Sequence, residues 1–208
     1  TWGTGLAENR TGSMNLKWEV STKTNFGIDA RFFDDKVDMT VDFFHTKTTD
    51  IFQRRANIPD EGGLSNVLPY ANIGSMKSWG MDGTLAYTHT FNKDMALTVR
   101  GNFTHAENEV IYWEQSGVNY PYQSNSGVPY KVQRGLIALG LFKDEDDIKS
   151  SPKQTFMDNY RPGDIKYKDV NGDGKIDKDD VVPLNYSAVP FIQYGFALDW
   201  NYKAFRVS

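Results

Sequence analysis

Hydrophobic and polar residues alternate with a period of two along several long stretches of the chain. Between Trp18 and Phe33 the even positions are Trp18, Val20, Thr22, Thr24, Phe26, Ile28, Ala30 and Phe32. The odd positions are Glu19, Ser21, Lys23, Asn25, Gly27, Asp29, Arg31 and Phe33. Six of the eight even residues are apolar, against one of the eight odd ones. Helical spacing cannot produce that split, so it predicts a strand with one apolar face. Asp34-Asp35-Lys36 then makes a polar turn. The alternation resumes with its parity shifted: Val37, Met39, Val41 and Phe43 against Asp38, Thr40 and Asp42. This is an antiparallel hairpin.

The pattern recurs. Trp79, Met81, Leu85, Tyr87 and Phe91 alternate with Ser78, Asp82, Thr84, Thr88 and Thr90. After a turn at Asn92-Lys93-Asp94, Met95, Leu97, Val99 and Phe103 alternate with Thr98, Arg100, Asn102 and Thr104. Ile192, Tyr194, Phe196, Leu198, Trp200 and Tyr202 form the cleanest apolar face, and a further strand begins after Lys203-Ala204. Tight turns alternate with two long connections, 53–73 and 107–187. The predicted strands run about 13–16 residues, against a usual length of about 5–6. Long strands, one polar face, and short turns opposite long loops describe an all-β, antiparallel transmembrane β-barrel segment with long extracellular loops. A soluble sugar-binding β-sandwich also alternates, with its apolar face as core.

Composition changes the picture in two ways. Mean hydropathy is −0.57, yet the chain holds 13 Phe, 5 Trp and 11 Tyr. Alternation reconciles these numbers, because a membrane strand needs only every second residue apolar. Formal charge is −4, too small and too mixed for a nucleic-acid footprint. Residues 143–180 alone hold 11 acids and 8 bases, so the charge belongs mostly to one loop. The absence of cysteine excludes disulfide frameworks, zinc fingers, iron–sulfur clusters and thiol catalysis. No run of 18 apolar residues predicts a membrane helix.

One loop carries candidate chemistry. Asp169-Val170-Asn171-Gly172-Asp173-Gly174-Lys175-Ile176-Asp177-Lys178-Asp179-Asp180 follows the template of a calcium loop. Asp169, Asn171 and Asp173 stand at positions 1, 3 and 5, and Gly174 at the turn position. Lys175 would offer its carbonyl, Asp177 stands at position 9, and Asp180 takes the place of the usual Glu. A hard cation needs six or more oxygens, and alternate side chains of one short segment supply them. Ile176 is the expected apolar anchor. Pro162-Gly163 before the loop and Pro183 after it oppose flanking helices. An unoccupied acidic turn is the alternative to bound Ca2+, and a calcium-dependent binding module of dockerin or adhesion type is an alternative for the whole chain. A dockerin would need a second such loop, which the sequence lacks.

Nothing else forms a chemical constellation, and no enzyme is expected. His45, His89 and His105 fall in or beside strands. Asp144-Glu145-Asp146-Asp147 reads as a solvated loop or helix start, and Gly62-Gly63 lacks phosphate-cradle spacing. Tyr112, Trp113, Tyr120, Tyr122 and Tyr130 could stack on sugars or a partner protein, or pack the loop itself.

These residues carry a family resemblance over roughly 14–208. Lys17-Trp18-Glu19 with Thr22, Asn25, Gly27 and Asp29 resembles a strand of the SusC/RagA-type TonB-dependent outer-membrane transporters. Asn72-Ile73-Gly74-Ser75-Met76 followed by Gly80-Met81 is similar to the entry to that family's next strand, with Asp82 where Glu is usual. The stretch from Pro162-Gly163-Asp164 to Gly174 is the most specific match, and Pro190 with Tyr194-Gly195-Phe196 resembles the return strand. The resemblance implies part of a plugged barrel of about 22 strands. It further implies import of glycans, peptides or similar large nutrients across the outer membrane of Bacteroidetes. TonB would supply energy, and a SusD-like surface lipoprotein would cap the barrel. The plug, TonB box and signal peptide are expected outside these residues. Asp29, Arg31, Asp42, Asp82, Arg100 and Asn102 are expected to line the lumen or meet the plug.

Overall fold

A computed structural model describes residues 12–13, 15–58 and 68–208. Gly62-Gly63 and the middle of the first long loop lie outside the described residues. The strands are β1 (Val20–Phe32), β2 (Val37–Arg54), β3 (Tyr70–Asn92) and β4 (Met95–Tyr112). A long connection follows. It holds β5 (Val132–Gly135), β6 (Ala138–Leu141), helix α1 (Glu145–Lys149), β7 (Lys153–Gln154), β8 (Ile165–Tyr167), β9 (Lys175–Ile176) and β10 (Val182–Ser187). The chain ends with β11 (Ile192–Tyr202) and β12 (Phe205–Val207). One six-stranded antiparallel sheet runs β1-β2-β3-β4-β11-β12, an up-and-down wall that does not close.

Register turns the alternation into two faces. On one, Phe26 pairs with Phe43 and Phe43 with Met81, while Ile28 pairs with Val41 and Gly83 with Phe103. Nearer the tight turns, Phe32, Val37, Tyr87, Val99 and Leu198 follow one another across five strands. Among the described residues no second layer covers this face: Phe26, Tyr194 and Phe196 are 64%, 78% and 84% exposed. That rules against the sandwich, where these side chains would form the core. The apolar band has an upper limit. Above Phe43 and Met81 come His45 and Trp79, then Lys47, Lys77 and Glu109. Lys77 pairs with Glu109 at 3.0 Å and sits 5.3 Å from the Trp79 ring centre. From Phe91 to Trp79 the path along β3 is about 40 Å, or about 28 Å upright at a 45° tilt, close to the apolar height of an outer-membrane barrel.

The opposite face is polar and tied across strands. Arg31 pairs with Asp38 at 3.0 Å, Thr40 donates to Asp29 at 2.8 Å, and Arg100 approaches Asp199 at 3.8 Å. Asp42 faces both Gly27 and Asp82, and Asn102 lies over Gly195. Gly80 is required here: a Cβ would meet Phe44 Cζ at 2.8 Å and the backbone of β4. All six residues expected on the lumen side share this face.

The structure lengthens the expected strands. β2, β3 and β4 have 18, 23 and 18 residues, so the long connections shrink to 55–69 and 113–191. Crossing a bilayer takes about 9–11 tilted residues, so these strands continue well past it. The extension was hidden because above the charged rows the period of two breaks down, as in Ile51-Phe52 and Val110-Ile111-Tyr112. Register also shifts between Thr48 and Phe52, where Asp50 adopts a φ of 58°. The first turn takes four residues, Phe33 to Lys36, with Phe33 already left-handed at φ 58°.

Candidate functional site

The second long connection is an ordered cap. Its two-stranded sheets are β10–β5 and β6–β8, antiparallel, and β7–β9, parallel. Buried apolar residues among those described are Val110, Phe142, Ile176 and Val182, all in the cap or at its root. Ile176 is fully buried, as an anchor should be, and its carbonyl accepts from the Thr155 amide at 3.0 Å. Phe142 stacks on Tyr160 at 5.4 Å. Asp144 caps α1 by accepting from the Asp147 amide at 2.7 Å, and acids fill the first turn, where the helix dipole favours them. The acidic run is therefore a helix start. Asp147 accepts from Lys166 Nζ at 2.7 Å and from the Lys143 amide at 3.1 Å. These contacts hold its carboxyl below the ordinary value of 3.8.

The predicted site residues come together on one compact loop. Asp169 accepts from the amides of Gly172 and Gly174, Asn171 from that of Asp173, and Asp173 from that of Lys175. Gly172 and Gly174 take left-handed φ of 77° and 83°. Asp177 accepts from the Asp179 amide at 2.8 Å. Asp180 is fully buried and accepts from the amides of Val170 at 2.7 Å, Asn171 at 3.4 Å and Asp177 at 2.9 Å. The carboxylates thus satisfy the loop's own donors. Each carboxylate oxygen has two lone pairs, so capping does not exhaust their acceptor capacity. The donor types suit a hard cation, but among the described residues no group of three or more acids or histidines is gathered into a metal-holding cluster. β8 precedes the loop and a single 3-10 turn, Lys178–Asp180, closes it, in keeping with the prolines.

Tyr120 and Tyr122 pack against the loop. Tyr120 and Tyr122 stack at 5.3 Å. Tyr122 donates to the Asp179 carbonyl at 2.7 Å, and Asn171 donates to the Tyr120 hydroxyl at 3.2 Å. Partial burial, then Tyr120 and the charges of Asp180, Asp179 and Asp169, raise the Tyr122 phenol above its usual 10.0. Two ties were not visible in the sequence. Glu114, nearly buried, accepts from Arg55 at 2.7 Å and from the Asn57 amide at 3.0 Å, joining both long connections. Arg134 donates to the carbonyls of Tyr122 and Ser124 and to Asn125 Oδ1. Neither partner stands at a motif spacing, so only the fold reveals them.

An open antiparallel wall, an exposed apolar band and an ordered cap now stand beside the sequence landmarks. The family description "TonB dependent receptor-like, beta-barrel" matches residues 3–206. The chain belongs to that family. TonB-dependent receptor barrels are outer-membrane structures, and no described helix is long and apolar enough to cross a membrane. TonB-dependent receptor P39 of Formosa agariphila is 29% identical, over 98% of this chain and 22% of that protein. TonB-dependent receptor SusC of Bacteroides thetaiotaomicron is 26% identical, over 93% of this chain and 19% of its own length. The chain thus spans about a fifth of these relatives. The RagAB peptide transporter shows the same fold at TM-score 0.64 and 23% identity, over 92% of this chain and 20% of that one. The RagAB peptide importer in its "open-open" state gives 0.66. As a TonB-dependent receptor segment, the wall has a family reason for its two free edges: the rest of a barrel.

Proposed function

We propose that this chain forms part of the wall and outer cap of an active importer for large nutrients, peptides or oligosaccharides. TonB supplies the energy, and a SusD-like surface lipoprotein sits over the long connections, which face outward. The carrying observation is the similarity to SusC together with the fold shared with RagAB. The wall's polar face lines the passage, with Asp42 and Asp82 opposite one another. The ordered cap on the long-loop side suits contact with substrate or lid.

The test uses the full-length transporter in its native host. Deleting its gene should abolish growth on one class of oligopeptide or oligosaccharide, deleting TonB should do the same, and a lipoprotein should co-purify in detergent. Unchanged uptake in both deletions would sink this reading.

The cap loop favours one addition. We propose Ca2+ held by Asp169, Asn171, Asp173, Asp177 and Asp180 with the Lys175 carbonyl. All are hard oxygen donors in template order, and the ion would stiffen the cap. Chelation should speed amide exchange across 169–180, and added Ca2+ should restore it. Identical exchange with and without chelator would leave the loop as a self-capped acidic turn.

A further inference from the structure

A cavity of about 300 Å3 lies between the end of β4 and the start of β5. Trp113 and Tyr130 contribute aromatic lining, Val110 apolar lining, and Asn125, Lys131 and Arg134 polar lining. It sits above β4, which is paired on both sides by β3 and β11, so the wall's free edges do not create it.

Its electrostatics are lopsided. Arg134 contacts three oxygens, and all three are neutral: the carbonyls of Tyr122 and Ser124, and Asn125 Oδ1. A guanidinium has five N–H donors, so two remain. Lys131 lies 5.5 Å from the Tyr130 ring centre, and among the described residues neither cation has a carboxylate partner. The nearby Glu114 is already committed to Arg55. A part-buried charge normally has a counter-charge. The half-buried Arg134 has none, and the exposed Lys131 adds a second cation to the lining of the same pocket. Lys131 also holds a left-handed φ of 56°, a conformation that glycine would adopt without strain. Such strain persists at ligand clamps, where the surroundings impose it.

We propose that this pocket binds the carboxylate of an incoming substrate, with Lys131 and Arg134 facing the charge and Trp113 and Tyr130 flanking the residue that bears it. The volume, at the small end for ligand sites, accommodates one terminal unit and not a whole oligomer. The assignment rests on the importer reading and names its substrate class. Two sources share this chemistry: a peptide C-terminus or acidic side chain, and a uronic acid sugar.

The experiment measures binding to the full-length transporter in detergent with matched pairs. One pair is trialanine and its C-terminal amide. The other is trigalacturonate and its methyl ester. In one pair or both, the acid should bind about tenfold more tightly than its neutral form, as expected for a hydrogen-bonded charge. The preferred pair identifies the source. Lys131→Gly should remove most of that preference while relieving the backbone, so the loss would not reflect misfolding. Arg134→Gln should also weaken the preference, with circular dichroism checking the fold. Acid and neutral forms behaving alike in both pairs would overturn the assignment, as would an undiminished preference in Lys131→Gly. TonB-dependent growth, assayed separately, tests the importer reading: if it persists while acid and neutral probes bind alike, only the pocket assignment falls.

Discussion

The wall and the cap invert one another. In the wall, large apolar side chains face outward and polar ones are tied on the other face. In the cap, Ile176 and Asp180 are both fully buried, and acids fold inward onto backbone amides. The same chain obeys opposite burial rules within a few residues of Tyr112. The difference lies in the solvent each region is built for. A lipid-facing strand needs no apolar core on its outer side, because the bilayer supplies one, but its backbone must be bonded strand to strand. A small water-facing cap buries little apolar surface and closes instead through side-chain acceptors on its loops.

The most severe way to break this contrast is a charge in the band. Phe196→Arg should cost about 2–4 kcal/mol of barrel stability near the bilayer midplane. Refolding of the full-length protein into vesicles, followed by denaturant titration, measures it. A water-facing sheet would tolerate or welcome that change. Next comes the cap's buried carboxylate. Asp180→Ala leaves amides of Val170, Asn171 and Asp177 without their acceptor, at about 1–3 kcal/mol. Limited proteolysis should cut 169–180 faster while barrel refolding is unaffected; coupled loss of both would erase the distinction between the regions. Removing the α1 cap is milder. Asp144→Ala should cost about 1 kcal/mol locally, read as faster amide exchange across 145–149. The smallest effect is acid. Asp147 has a lowered folded pKa, so its contribution is complete above 3.8 and is lost as pH falls through that lower folded value. The Lys143–Asp147–Lys166 tie should hold at pH 5 and loosen only in stronger acid. An NMR titration of Asp147 with a midpoint above 3.8 would contradict the contact geometry.

The two regions also differed in how far the sequence revealed them. The wall was legible strand by strand, because period-two alternation and turn residues are local signals. Even there, strand lengths came out short, since above Lys47 and Lys77 apolar residues such as Ile51-Phe52 and Val110-Ile111-Tyr112 fall in consecutive positions and the alternation breaks down. The bulge at Asp50 is likewise silent in alternation. In 169–180 the spacing of acids and glycines marked a tight turn, and the left-handed Gly172 and Gly174 and the buried Ile176 are its structural counterpart. The cap's ties were not legible. Arg55–Glu114 and Arg134 with the 122–125 backbone join positions far apart in the chain, and no periodicity marks them. Tyr120 and Tyr122 were read as open between ligand stacking and packing; the fold assigns both to packing.

One feature of the connectivity reaches beyond stability. β4 and β11 are direct neighbours, paired from Met95 with Tyr202 up to His105 with Ile192, and the Ala106 amide still reaches the Phe191 carbonyl at 2.8 Å. The whole of 113–191 therefore leaves the wall at Tyr112 and re-enters the neighbouring strand opposite His105, about 20 Å lower. It behaves as a cassette plugged into a hairpin: its contents can be shortened, replaced or diversified while the flanking register stays the same. Recombination among relatives could then exchange the cap without rebuilding the wall beneath it.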